Sequence, residues 1–240
     1  MELSDWIQPV HLSRTAIEQY RQSILAEGET GVVIDNFFHP HLLLRLSQFA
    51  EKEAEYAEVK LLYSTLDGEK NTDISGSVST SEWENSEEND RFCSRRQVKG
   101  VNPEFRLSKN WLTYLKFNGF LKTVFIDYLQ MLSLSDLELG AVIMDTQEKG
   151  QFLKKHNDYR EGRKLCHILY IEPNWKPEYG GGLCMLPENG EAIRHTPVFN
   201  RLVLFLPSKT TCHYVEPVAE IAQDKVRKCV VAWYNEQTDK

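Results

Sequence analysis

A chain of 240 residues, 41% apolar and 26% charged, is long enough for one sizeable core and is neither fibrous nor disordered throughout. Its net charge of -7 argues against nucleic acid as a main partner, because phosphate binding requires a basic face. The first ten residues lack a basic start followed by an apolar run, and no apolar stretch reaches the roughly 20 residues that span a bilayer, so neither a secretory leader nor a membrane association is expected.

In chain order, Ser13 stands where it would cap a helix over 15–27, whose Ile17, Tyr20, Ile24 and Leu25 recur at helical spacing. Gly28 and Gly31 end it, and Val32, Val33 and Ile34 read as a short strand. Pro40 opens a second helix, expected to run from His41 to about Val59. Residues 64–91 are dominated by Ser, Thr, Asn, Asp, Glu and Gly, with Trp83 the one aromatic side chain. So polar a stretch cannot offset its ordering entropy by burial, so it reads as a mobile surface insertion or a lid. Two further helices follow, 110–117 and 120–132, with Gly119 breaking between them. From Leu139 onward short apolar runs alternate with Gly- and Pro-rich turns, the pattern of an antiparallel barrel or jelly roll. The fold class is therefore mainly β with flanking helices. Residues 1–138 read as an N-terminal helical support region carrying the polar insertion 64–91, and 139–240 as the jelly-roll core, with no linker between them.

The five cysteines are odd in number, scattered and free of any CxxC pair, which suits a reducing cytoplasm better than a disulfide scaffold. Cys166, Cys184 and Cys229 sit inside apolar runs and read as small buried hydrophobes. Candidate chemistry gathers late in the chain. His156 and Asp158 are two apart at the end of a strand, so on extended backbone both point to one face. His213 follows the run Leu202–Leu206. Two imidazoles and one carboxylate on one side of a ferrous ion leave coordination positions open for a co-substrate and oxygen. Taken alone, His-x-Asp is weak, since a surface histidine beside an aspartate in a loop has the same text. Arg227 adds context: it shares a strand face with Cys229, Val231 and Trp233, and an arginine among apolar neighbours is costly unless its fork meets a carboxylate. His11, His39 and His41 read as surface or capping residues, and Trp175 and Trp233 as core.

These pieces fall into six blocks over 148–235: His156–Asp158; Arg163–Tyr170; Trp175–Leu183; Asn200–Phe205; His213–Val218; and Arg227–Trp233. In that order they resemble the prolyl 4-hydroxylase-like branch of the 2-oxoglutarate and Fe(II)-dependent oxygenases. The resemblance implies a double-stranded β-helix, with His156, Asp158 and His213 as iron ligands. It also implies that Arg227 binds the distal carboxylate of 2-oxoglutarate and that Tyr170 helps hold it. No further catalytic side chain is implied. Arg227 stands further beyond His213 than the family's basic residue usually does, so Lys225 and Lys228 compete for its role. The implied reaction is hydroxylation of an unactivated C–H bond of an amino acid or amino-acid residue. It would couple to decarboxylation of 2-oxoglutarate to succinate, with O2 as oxidant and ascorbate as a possible auxiliary reductant. The substrate is expected to be small or short, either free or peptidyl. A jelly-roll sensor that binds metal and 2-oxoglutarate without turnover is the alternative.

Overall fold

The computed structural model describes residues 1–66, 76–134, 136–188 and 190–237. Part of the polar insertion, 67–75, lies outside the described residues.

Eleven strands form one antiparallel, barrel-like sheet: β1 Val32–Asp35, β2 Ala54–Leu62, β3 Arg91–Val101, β4 Leu137–Gln147, β5 Phe152–His156, β6 Arg163–Tyr170, β7 Leu183–Leu186, β8 Ile193–His195, β9 Arg201–Phe205, β10 Cys212–Val215 and β11 Arg227–Glu236. Their order is β1-β9-β6-β11-β4-β3-β5-β10-β7-β8, with β2 added on β3. β3 is the hinge of this arrangement, because Arg96 and Gln97 pair with β4 while Cys93 and Ser94 pair with β5. This closes a larger wall, built around β11 and its neighbours β4 and β6, onto a smaller wall of β5, β10, β7 and β8.

The helices α1 Arg14–Glu27, α2 Pro40–Gln48, α4 Lys109–Lys122 and α5 Val124–Met131 belong to the N-terminal part of the chain; α2 packs Leu43 and Leu46, and α4 and α5 pack aromatic side chains, into the core shared with the larger wall. Strand alternation explains why one wall serves two cores. Leu165 and Leu169 of β6, Leu202 and Leu204 of β9, and Val230, Ala232 and Tyr234 of β11 face the helices, where Phe117, Phe120, Phe125 and Tyr128 bury them. Their neighbours Cys166, Ile168, Tyr170, Val203, Phe205 and Cys229 face into the barrel.

Ser13 caps α1, its hydroxyl accepting from the Ala16 amide at 3.3 Å, as the sequence indicates. Two helix assignments are corrected. The helix opened by Pro40 ends at Gln48 and passes through a five-residue π turn, Phe49–Glu53, into β2, so 54–59 is strand and not helix. Segment 54–62 takes its stability from pairing with β3 some forty residues on, a partner that local periodicity cannot reveal. Gly119 breaks nothing: it lies inside α4 facing open space, and the chain turns at Thr123 instead. A helix-interior glycine costs only about 1 kcal/mol, which the packed Phe117 and Phe120 on either side readily exceed. The region before residue 139 is therefore not only helical, since it supplies β1, β2 and β3 to the sheet. Within 64–91 the described part includes a short helix, α3 Thr80–Asn85, closed by a capping box between Ser79 and Glu82.

Candidate metal and co-substrate site

The barrel interior is not filled. A cavity of about 620 Å³ opens between the two walls. Strand pairing places its chemistry, because His213 of β10 stands directly opposite His156 at the end of β5. Their rings lie 4.2 Å apart between centroids. Asp158 follows two residues beyond β5, and its Oδ2 lies 3.5 Å from Nε2 of His213. One ligand atom from each of the three side chains lies within 4.8 Å of the others, a spacing that could hold one metal ion.

Each member is oriented by neighbours. Nδ1 of His156 donates to the Lys154 carbonyl at 2.8 Å, which places the proton there and leaves Nε2 as the free donor of a lone pair. Burial, with the positive charge His213 would carry, pushes His156 down to about 4, so its ring is neutral at physiological pH. Burial would raise the Asp158 carboxyl, but hydrogen bonding and charge from His213, with His156 behind it, hold it well below the usual carboxylate range. Arg163 steadies the loop: its Nη1 donates to the Asp158 carbonyl at 2.9 Å while the guanidinium lies over the Trp233 ring. His213 also packs against the edge of Phe205, and His156 against Phe92.

Arg227 opens β11 on the cavity face, in register with Gln147 of β4, whose side-chain oxygen accepts from its Nη1 at 2.8 Å. The guanidinium is 3% exposed and also lies over the Tyr170 ring, yet no carboxylate of the described residues pairs with it. Two buried polar atoms in this corner, Nε of Arg227 and the Tyr170 hydroxyl, make no hydrogen bond of good geometry, although the two side chains lie against each other. Burial raises the Tyr170 phenol, which keeps it a donor. Buried orphan donors beside an unpaired guanidinium are the complement of a carboxylate. Gly181 makes the corner possible: it has φ +68°, and a Cβ there would stand 2.7 Å from Cδ of Arg227.

The competing lysines lie elsewhere. Lys228 points out of the barrel into ion pairs with Glu172 at 2.7 Å and Glu51 at 3.2 Å, and Lys225 lines the same outer hollow. Trp175 is buried as core, whereas Trp233 lines the cavity. His11 is not a surface residue: it is buried, and its ring bonds the Tyr20 hydroxyl at 2.7 Å and the Asn36 carbonyl at 3.0 Å. Sequence reasoning missed one cavity pair, Arg95 on β3 with Asp145 on β4, whose charged atoms stand 3.4 Å apart. Strand alternation from Ile143 through Asp145 to Gln147 was the available signal on β4, while the four cations of β3 disguise a strand as a charged loop.

Residues 142–235, which include all five of the site residues singled out from sequence, match the model of the 2OG-Fe(II) oxygenase superfamily. This stretch, less than half of the chain, is similar to a 2OG-Fe(II) oxygenase domain. An 86-residue stretch is 33% identical to Prolyl 3-hydroxylase OGFOD1 of Xenopus laevis, covering 33% of this chain. The chain spans 16% of the length of that relative. Among solved structures, the fold is shared with a prolyl-4-hydroxylase from Pseudomonas putida, at a TM-score of 0.56 and 19% identity over 92% of this chain and 100% of that one. It is shared also with a prolyl hydroxylase from Trichoplax adhaerens, in complex with a hypoxia inducible factor oxygen degradation domain peptide fragment, at a TM-score of 0.61 and 16% identity over 93% and 90% of the two chains. At such identities these structures bear on the fold alone.

Proposed function

We propose that this protein is an Fe(II)- and 2-oxoglutarate-dependent dioxygenase that hydroxylates an unactivated C–H bond of an amino acid or amino-acid residue, in the manner of a prolyl hydroxylase. One observation carries the reading: the His156, Asp158 and His213 donor set shares a cavity with Arg227 and the orphaned donors around it. In this reading His156, Asp158 and His213 hold the iron, and Arg227 with Tyr170 clamps the distal carboxylate of 2-oxoglutarate. The donor set fits the group, since two imidazoles and a carboxylate on one side are the ligands ferrous iron takes when it must keep positions open. Bound iron would supply activation of O2, with ascorbate as the auxiliary reductant that keeps the metal ferrous.

The chain's own residues do the rest. The Lys154 carbonyl aims His156 inward, and Arg163 holds the Asp158 loop against Trp233. Gln147 sets the Arg227 fork before any ligand arrives, so less ordering is needed on binding. Ile143, Leu153, Ile168 and Val231 form apolar walls that exclude water from the reacting atoms. Residues 139–240 supply most of this lining, and 1–138 adds β1, β2 and β3 to the sheet and Tyr63, Leu66, Phe92 and Arg95 to the cavity. Free cysteines, four of the five buried, support a reducing cytoplasmic compartment. Among the described residues no helix is long and apolar enough to cross a membrane.

The test is succinate release from 2-oxoglutarate in the presence of Fe(II) and ascorbate, together with mass spectrometry for gain of one oxygen atom across free amino acids and proline-containing peptides. Labelled O2 should place its atom in the product. Absence of both succinate and labelled product would remove the reading and leave a metal-binding sensor in its place.

A further inference from the structure

Beside the cavity lies a second hollow of about 700 Å³, and the two share Tyr63, Leu153, Lys155 and Val215 as a common wall. Its floor is aromatic: Trp83 of α3 and Phe152 of β5 stand with ring centroids 6.4 Å apart, and Tyr214 joins them. Its rim is cationic. Arg91 lies over the Trp83 ring and bonds the Ser86 hydroxyl and carbonyl. Lys154 lies 5.9 Å from the Phe152 centroid and donates to the Glu88 carbonyl at 2.8 Å. Lys155 is exposed with no partner among the described residues. Thus Arg91, Lys154 and Lys155 have no carboxylate to neutralise them among those residues, and the one acid lining the hollow is Glu88. In a chain of net charge -7 the lining of this hollow holds more cations than acids.

We propose that this groove binds an extended polypeptide segment carrying acidic side chains beside the residue that enters the cavity. The inference rests on the oxygenase reading of the cavity and names its substrate class. A free amino acid would occupy the cavity and leave the aromatic floor and its cations unused. A peptide threading past the shared wall at Leu153 and Lys155 uses both: one side chain descends toward His156 and Asp158, and its neighbours lie on Trp83, Phe152 and Tyr214. Aromatic faces take apolar and backbone surface at small ordering cost, while the uncompensated cations reward carboxylates and repel basic flanks.

The test uses the full chain loaded with Mn(II) and N-oxalylglycine, so that no turnover occurs. Binding is read by anisotropy of two fluorescein-labelled peptides, one with a central proline flanked by aspartates and its twin flanked by lysines. The aspartate peptide should bind at least roughly tenfold more tightly, equivalent to about 1.4 kcal/mol, and the preference should shrink as salt is raised. Lys154→Glu with Lys155→Glu should abolish or invert the preference. Trp83→Ala should weaken both peptides alike. Equal binding of the two peptides, or a preference that survives the double substitution, overturns the proposal, as does tight binding of free proline with no gain from a peptide. Because the metal is inert here, these results are independent of succinate release, so failure of the groove and failure of the oxygenase reading are told apart.

Discussion

The two faces of the larger wall use the same strands to opposite ends. On the helix side, β6, β9 and β11 present Leu, Val, Ala and Tyr side chains, and the helices with the segments that join them close over these with stacked and edge-on aromatics such as Trp6 on Phe120 at 5.2 Å and Phe37 on Phe38 at 4.8 Å. On the barrel side, residues one position away leave a cavity of about 620 Å³ lined by two histidines, two aspartates and several cationic side chains. The helix side is packed to solidity and carries the stability of the wall. The barrel side forgoes packing and keeps buried polar groups that would destabilise an ordinary core. The difference teaches that site and scaffold here are separated by a single alternation of the strand, not by distance.

The strongest way to break this comparison is to remove a ligand. His156→Ala or His213→Ala should abolish Fe(II)-dependent succinate formation, because in the proposed reading each supplies one of the three protein donors that could hold the metal. The same variants should melt close to the unmutated protein, since no packed core is opened. A large fall in Tm alongside lost activity would show that the barrel side also carries stability.

Arg227→Ala comes next. Loss of one partner from a desolvated charge pair costs ~3–5 kcal/mol, so the apparent requirement for 2-oxoglutarate should rise by two to three decades or more, with metal binding retained. Titration of 2-oxoglutarate against succinate initial rates reads it. Lys225→Ala, outside the cavity, should change nothing in that titration.

On the opposite face, Phe120→Ala should cost about 3–5 kcal/mol of stability by chemical denaturation. Phe120 is fully buried among Trp6, Phe38, Phe117 and Phe125. The folded fraction should keep its 2-oxoglutarate requirement, which sharpens the division between the faces.

The last effect concerns acid, and near neutral pH it vanishes. Burial between Phe125 and Tyr234 pushes His167 down to about 3, against an ordinary value of 6.5. Between those values the unfolded chain binds a proton that the folded chain refuses, so stability falls as pH drops from about 6.5 towards 3. The slope is about 1.4 kcal/mol per pH unit for one such proton. His167→Gln should remove one proton's share of that slope in denaturation midpoints measured from pH 7 to pH 4, and an unchanged slope would place the acid sensitivity elsewhere.

What the amino-acid sequence determined by itself is local. Alternation along 227–233 puts Arg227, Cys229, Val231 and Trp233 on one face, and all four line the cavity. The His156–Asp158 spacing, the turn-rich strands after Leu139 and the Ser13 cap are legible for the same reason: each depends on residues a few positions apart. Pairing partners far along the chain decided the remainder. Tertiary structure turned 54–59 from helix into strand, set Arg227 on the cavity while facing Lys228 toward Glu51 and Glu172, and buried Arg95 against Asp145. A charge reads as surface in a sequence because burying it alone is prohibitive. Only the fold supplies the partner, fifty residues away, that makes its burial tolerable.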